Sequence, residues 1–277
     1  MSSEGTPEEL IEQGLAALGV AEFDDAIERF GSAAVEAPQN PHAWFYLGLC
    51  YLETRQADLA IEALNRAISA DSNYADAHYL LGSAVGAVGR LDDASSSYRR
   101  ALEIDPHHHK AEEFLIRTEA LLASREHYRK AMRLIYADEP EPDWLNRGVR
   151  ELLHSVAIFN ESPARDEFSR LAQEVLNSSR RTPVQGVASE EGPFWAGAVR
   201  SAQQAFERRN WPEAATHYHE ALDLSSEHPF IHHALGLIYF ALGDVDGGIR
   251  AWQRAFDQDP EYDFSASGRL NGRDGRD

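Results

Sequence analysis

The chain has 277 residues, and its 46 acidic and 26 basic residues give it a formal net charge of -20. This excess of negative charge repels the phosphates of nucleic acid and the anionic surface of a membrane, so we expect neither as a partner. The single cysteine, Cys50, excludes a disulfide within the chain and is typical of a reducing compartment. The sequence shows neither a signal-peptide pattern nor an apolar run of about twenty residues, so a cytoplasmic location is expected.

The first part of the chain repeats one pattern with a period of 34 residues, in 7–40, 41–74 and 75–108. Each unit contains two stretches in which apolar and small residues recur at the three- and four-residue spacing of helices. In the third unit the two stretches break at Gly89, and Gly82 and Ala94 are small where the paired helices must approach. A hairpin this short cannot bury its apolar face alone, so it needs copies of itself on either side.

The same pattern returns in 195–228 and 229–262. The second unit of the chain carries it as Trp44, Leu47, Gly48, Tyr51, Ala60, Leu64 and Ala67, and the last as Leu235, Gly236, Tyr239, Trp252, Ala255 and Pro260. With these residues the sequence resembles the tetratricopeptide-repeat (TPR) family over five units. The resemblance implies an all-α solenoid of helical hairpins, wound as a right-handed superhelix with a concave binding face.

The signature weakens in the middle of the chain. We interpret 109–178 as two degenerate helical hairpins, an irregular middle region in which Trp144, Gly148 and Phe168 still fit the pattern. The polar, Gly-, Pro- and Ser-rich segment 179–194 is a linker or a surface loop. The almost wholly polar segment 263–277 is expected to be a disordered tail. No segment has the alternation of a β-strand.

Histidines are the only residues that suggest metal or acid–base chemistry. They cluster at His107–His109 and at the junction of the last two units, and the second group comprises His217, His219, His228, His232 and His233. Neither group has the spacing of a zinc motif, so a histidine-dependent metal site is only a minor alternative. There is no nucleophile elbow and no phosphate-binding loop. We therefore expect no catalytic residue, no metal and no cofactor, and we do not expect an enzyme.

The candidate site is the concave face. Helical period places residues two, five, nine and twelve of each first helix on one face, which in the family lines the groove. The candidate partner-binding residues are Ile11, Leu15, Phe45, Leu49, Tyr79, Phe230, His233 and Leu237. Such apolar residues need a cover, because surface helix faces are usually polar. The cover is either a partner or the chain itself, through its middle helices or a second copy.

The function that we predict is a protein-interaction scaffold or adaptor. Acidic residues outnumber basic ones three to one in 1–108, so the partner should be a protein or peptide, such as an amphipathic helix, with an apolar stripe and basic flanks. The alternative is a self-assembling structural protein, a homo-oligomer, whose groove its own chain fills. Some family members grip a C-terminal carboxylate with Lys, Asn and Arg. Those slots here hold Ile11, Leu15, Tyr46, Asp76 and Leu80, so such a clamp is not expected.

Overall fold

Pairs of antiparallel helices are the building block of this protein. The computed structural model describes residues 5–137, 144–178, 195–224, 228–260 and 262, and it has no β-strand within them, which confirms the predicted all-α fold. The helices of these ranges are α1 Pro7–Gly19, α2 Phe23–Glu36, α3 Pro41–Glu53, α4 Ala57–Ala70, α5 Ala75–Ala87, α6 Leu91–Ile104, α7 His109–Ile135, α8 Trp144–Ile158, α9 Ala164–Ser178, α10 Ala196–Glu207, α11 Trp211–Leu224, α12 Pro229–Ala241 and α13 Val245–Gln258.

The chain divides into two compact units, Met1–Leu122 and Ala123–Asp277, and the division falls inside α7. The first unit contains the hairpins α1–α2, α3–α4 and α5–α6, and the second contains α8–α9, α10–α11 and α12–α13. None of the described helices has the length and apolar character needed to cross a membrane. The predicted linker 179–194 and the predicted tail 263–277 lie outside the described residues.

Each repeat hairpin turns on one residue with a left-handed backbone. These residues are Ala21, Arg55 and Gly89 in the first unit and Arg209 and Gly243 in the second, with φ between 57° and 83°. Within each unit they are one repeat period apart. Glycine adopts this conformation readily, whereas a side chain with a Cβ atom is strained there. The turn geometry is therefore a property of the repeat and not of one residue type.

The helices of a hairpin touch where the sequence places its smallest residues. A Cβ atom on Gly82 of α5 would lie 2.5 Å from the Tyr98 ring of α6, and Ala94 of α6 is completely buried. A Cβ atom on Gly86 would lie 3.6 Å from that of Ala94. The prediction that Gly82 and Ala94 lie at the contact between the paired helices is confirmed.

The region 109–135 differs from the prediction. We expected a degenerate hairpin here, whereas the structure has one continuous helix, α7, of 27 residues. The segment contains neither glycine nor proline, and Ala123 stands one period after Gly89. Because nothing in the segment favours a left-handed residue or removes a backbone donor, the helix continues through the place of the turn. The next pair, α8 and α9, does form a hairpin.

Candidate functional site

Five of the predicted site residues lie on α1, α3 and α5, the first helix of each hairpin in the first compact unit. We call these five residues the groove face: Ile11, Leu15, Phe45, Leu49 and Tyr79. Leu15 is 40% exposed, and the other four are half-buried. Phe45, Leu49 and Tyr79 pack with part of their surface against a buried cluster of α4 and α5 that includes Leu64 and Leu80. Three side chains of the groove face are thus held by the buried cluster on one side, and the groove face still exposes apolar surface to solvent.

Aromatic contacts hold the larger side chains of the groove face in place. The Phe45 ring lies 4.8 Å from the Tyr74 ring, and the Tyr79 ring lies 5.7 Å from the Phe114 ring, between centroids. Phe114 comes from the beginning of α7 and is 37% exposed. The sequence pattern does not single out Phe114, because it lies in a degenerate segment and at a position that does not line the groove in the 34-residue repeats. It extends the apolar surface next to Tyr79.

Carboxylates border the groove face at Tyr79. The pKa of the Tyr79 phenol is raised from its ordinary value, first by burial and then by the negative charges of Glu113 and Asp76, while a hydrogen bond with Ser83 acts in the opposite direction. The Oδ1 atom of Asp76 also lies 3.1 Å from Nε2 of His108. Acidic side chains thus lie at the edge of the apolar surface around Tyr79.

In the second unit the structure corrects the expectation of an open groove. Phe230 is half-buried, but His233 and Leu237 of α12 are only 1% and 2% exposed and cannot face a partner in this conformation. Nδ1 of His233 lies 3.2 Å from the Tyr262 hydroxyl oxygen. Helix α9 packs against α12, which carries both residues, and against α13. Of the two covers considered, the chain's own middle helix is the one found here.

Phe168 is the centre of that cover. It is fully buried, and its ring lies 6.1 Å from Phe240 of α12 and 5.8 Å from Trp252 of α13. Leu171, one turn further along α9, belongs to the same core. Arg165, one turn earlier, forms an ion pair of 2.6 Å with Asp246, which lowers the pKa of that carboxyl group. An apolar stripe with a basic flank therefore occupies this face of the second unit.

In the part of the chain that the structure describes, neither histidine cluster brings three potential metal ligands together. His217 pairs with Glu220 on its own helix at 2.8 Å, and His219 contacts the Tyr239 hydroxyl at 2.8 Å. The His228 ring lies 4.2 Å from the Trp195 ring, between centroids, and is tilted by 45° against it. Within the described ranges, one group does bring three potential metal ligands together, and it consists of His127, Glu151 and His154. We had not singled out this group, because its members lie on two helices and follow no metal-binding motif.

Cys50 is a packed thiol and not an exposed one. It is fully buried in α3, and burial raises the pKa of the thiol to about 11, with a further contribution from Glu53. Because the thiolate is the nucleophilic form, such a thiol is almost entirely unreactive at neutral pH.

Comparisons with known proteins identify the family to which the repeats belong. The tetratricopeptide-repeat family model matches residues 11–75, 55–109 and 199–263, more than half of the chain. Heat shock protein STI1 of Saccharomyces cerevisiae is 31% identical over 112 residues, which are 40% of this chain and 19% of that protein. The Cell division cycle protein 27 homolog of Caenorhabditis elegans is 37% identical over 76 residues, 27% of this chain and 10% of that protein. The chain thus spans a fifth or less of the length of these two relatives.

Two solved structures are similar to part of the chain. The first TPR of Spaghetti (RPAP3), bound to the HSP90 peptide SRMEEVD, is 24% identical with a TM-score of 0.42, and the match covers 43% of this chain and 94% of that one. The Sgt2 TPR domain from Aspergillus fumigatus is 24% identical with a TM-score of 0.40, over 50% of this chain and 86% of that one.

Proposed function

Since the chain belongs to the tetratricopeptide-repeat family, we propose that it is a protein-interaction adaptor whose groove face binds an amphipathic helix of a partner protein. The observation that carries the proposal is the half-open groove face of the first unit. Its apolar side chains are held by packing from one side, and Asp76 and Glu113 border them. A stable apolar surface of this kind is typical of a binding site.

The packing of α9 in the second unit supports the proposal that the ligand of the groove face is a helix. There α9 lies on the corresponding helix of the last repeat and uses Phe168 as its buried anchor, with Leu171 and Ala172 three and four residues further on. Arg165, three residues before the anchor, pairs with an acidic residue of the repeat. This spacing is the one by which amphipathic helices enter grooves. We infer that a partner helix presents a similar stripe and a basic flank to the groove face.

The proposal includes no catalytic step. The buried Cys50 thiol has a raised pKa, His217 pairs with Glu220, and His219 contacts the Tyr239 hydroxyl. The alternative function is self-assembly, in which a second copy of the chain fills the groove face. Sedimentation of the pure protein distinguishes the two, because self-assembly gives an apparent mass above that of one chain, whereas a monomeric adaptor sediments with the mass of one chain.

The adaptor function is tested by affinity capture from native lysate with three variants of the full chain. Leu15→Glu and Phe45→Glu place a charge in the groove face, and Val35→Glu places the same charge on α2 at a side chain that is 79% exposed. We expect the first two variants to lose the captured partners and the control to retain them, with all three still folded by circular dichroism. Equal capture by all of them would contradict the proposal.

A peptide comparison then tests the charge preference. The peptide SRMEEVD is acidic, and the groove face is bordered by carboxylates, so it should not compete with the captured partner. A synthetic helix with an apolar stripe and lysine flanks should compete. Competition by SRMEEVD alone would show that the site is of a different kind from the one proposed.

A further inference from the structure

One side-chain group lies between α7 and α8 and takes no part in the groove face. Glu151 and His154 are three residues apart on α8 and therefore share a helix face. His127 of α7 lies opposite them, with its Nδ1 atom 2.6 Å from Oε2 of Glu151 and its ring 5.3 Å from the ring of His154. Each of the three residues has one potential ligand atom in this group, and these three atoms lie within 4.8 Å of one another.

Buried serines fix the two helices next to this group. Ser124 and Ser155 are 1% and 0% exposed, and their hydroxyl oxygens are 3.0 Å apart. The Ser155 hydroxyl also lies 2.9 Å from the Ser124 carbonyl oxygen and 2.6 Å from the hydroxyl of Ser162. Ser155 adjoins His154, and Ser124 is one turn before His127. The backbones that carry the ligands are thus locked in register by a buried polar network, which is the support that a metal site needs.

We propose that His127, Glu151 and His154 form a binding site for a divalent transition metal, with Zn²⁺ as the expected ion. Two imidazoles and one carboxylate are a recurrent zinc ligand set, and a water molecule completes the tetrahedron. Ligand bonds of about 2.0–2.2 Å place two ligand atoms about 3.3 Å apart. To reach this spacing from separations of up to 4.8 Å, the exposed His154 side chain moves by up to about 1.5 Å towards its neighbours. The contact of 2.6 Å between His127 and Glu151 widens as both ligand atoms turn towards the ion.

Bound metal would join α7 to α8 in the second unit. The hydrogen bond between His127 and Glu151 accounts for two of the residues without any ion, but it gives no role to His154, which faces the same point. Because the ligands come from two helices, the unfolded chain does not preform the site, so binding stabilises the folded state.

The test uses the untagged full-length chain, freed of metal with a chelator and titrated with Zn²⁺ against a chromophoric competitor. His154→Ala and Glu151→Gln each remove one ligand. His217→Ala is the matched control, because His217 and Glu220 have the same three-residue spacing and a contact of 2.8 Å but belong to no three-ligand group. Co²⁺ provides a second readout, since its visible absorption reports tetrahedral coordination by these side chains.

We expect one tight Zn²⁺ site in the unmodified chain and in His217→Ala. Each ligand variant should weaken this site by more than about 100-fold, the largest effect usually seen for a merely supporting group. Zn²⁺ should also raise the melting temperature of the unmodified chain and not that of His154→Ala. Zn²⁺ affinity that His154→Ala and Glu151→Gln leave unchanged, or the absence of a tight site in the unmodified chain, would overturn the proposal.

Discussion

Single residues at the hairpin turns carry a conformational requirement that can be measured. Gly89 joins α5 to α6 with a φ of 83°, a backbone region that an alanine enters only at a cost of about 1–2 kcal/mol. We therefore expect Gly89→Ala to lower the free energy of unfolding by about 1 kcal/mol. Denaturation with urea is the measurement.

Gly31 provides the matched control for Gly89. It lies in the middle of α2, and a Cβ atom there would meet nothing within 4 Å. Gly31→Ala should raise the free energy of unfolding by about 0.5–1 kcal/mol, because alanine is the better helix former. Equal effects of the two substitutions would show that the backbone at Gly89 is not constrained as described.

His232 makes the stability of the second unit depend on pH. It is buried, and burial lowers its pKa below the ordinary value of 6.5, with further contributions from Arg254 and His219. As the pH falls through 6.5, the unfolded chain takes up a proton that the folded chain resists, so the stability contribution present at higher pH is lost.

The corresponding measurement compares urea denaturation at about pH 7.5 and about pH 5.5 for the unmodified chain and for His232→Gln. We expect the unmodified chain to lose more stability on acidification than the variant does. The same loss in both would show that another group is responsible.

The sequence predicts contacts between residues of the same hairpin better than contacts between helices that belong to different hairpins. Gly82 and Ala94 were identified correctly, since a contact within one hairpin follows from helical period. Phe114 and the pair of His127 with His154 were missed. Their contacts join helices whose relative rotation no local pattern determines, so only the folded structure brings them together.

At the scale of elements, α9 has the largest effect on the candidate site. It turns a face that the repeat pattern predicts to be open into part of a core, through Phe168. The sequence left external and internal cover open, because helical period gives the apolar stripe of α9 but not the surface on which the stripe lies. His233 and Leu237 are buried on α12, against which α9 packs, and their own spacing does not predict this burial.

The contribution of α9 is measured by Phe168→Ala. Removing a fully buried phenylalanine should lower the free energy of unfolding by about 3–5 kcal/mol, because the side chain leaves a cavity between α9, α12 and α13. Leu224→Ala, at a leucine that is 50% exposed, is the control and should change it by about 0.5 kcal/mol or less. A loss below 1 kcal/mol for Phe168→Ala would mean that α9 is only loosely docked.

At the scale of the whole molecule, the formal charge of -20 acts on the encounter with a partner. Exposed charges mainly accelerate association and are screened beyond about 10 Å at 0.1 M salt. Raising the salt from about 0.05 M to about 0.5 M should slow the association of a captured basic partner several-fold and leave its dissociation nearly unchanged, because the apolar contacts remain. Stopped-flow or surface-based kinetics measure both rates. An association rate constant that does not change with salt concentration would contradict the electrostatic part of the proposal.

Photo-crosslinking from the groove face tests the central claim most directly. A photoreactive phenylalanine analogue replaces Phe45 in the full chain, and the same analogue at Val35 reports the exposed outer side of α2. After irradiation in native lysate, mass spectrometry identifies the crosslinked segments. We predict that position 45 captures segments with apolar residues at helical spacing and lysine or arginine at their ends, and that position 35 does not. Acidic or unpatterned segments at position 45, or the same segments at both positions, would contradict the account.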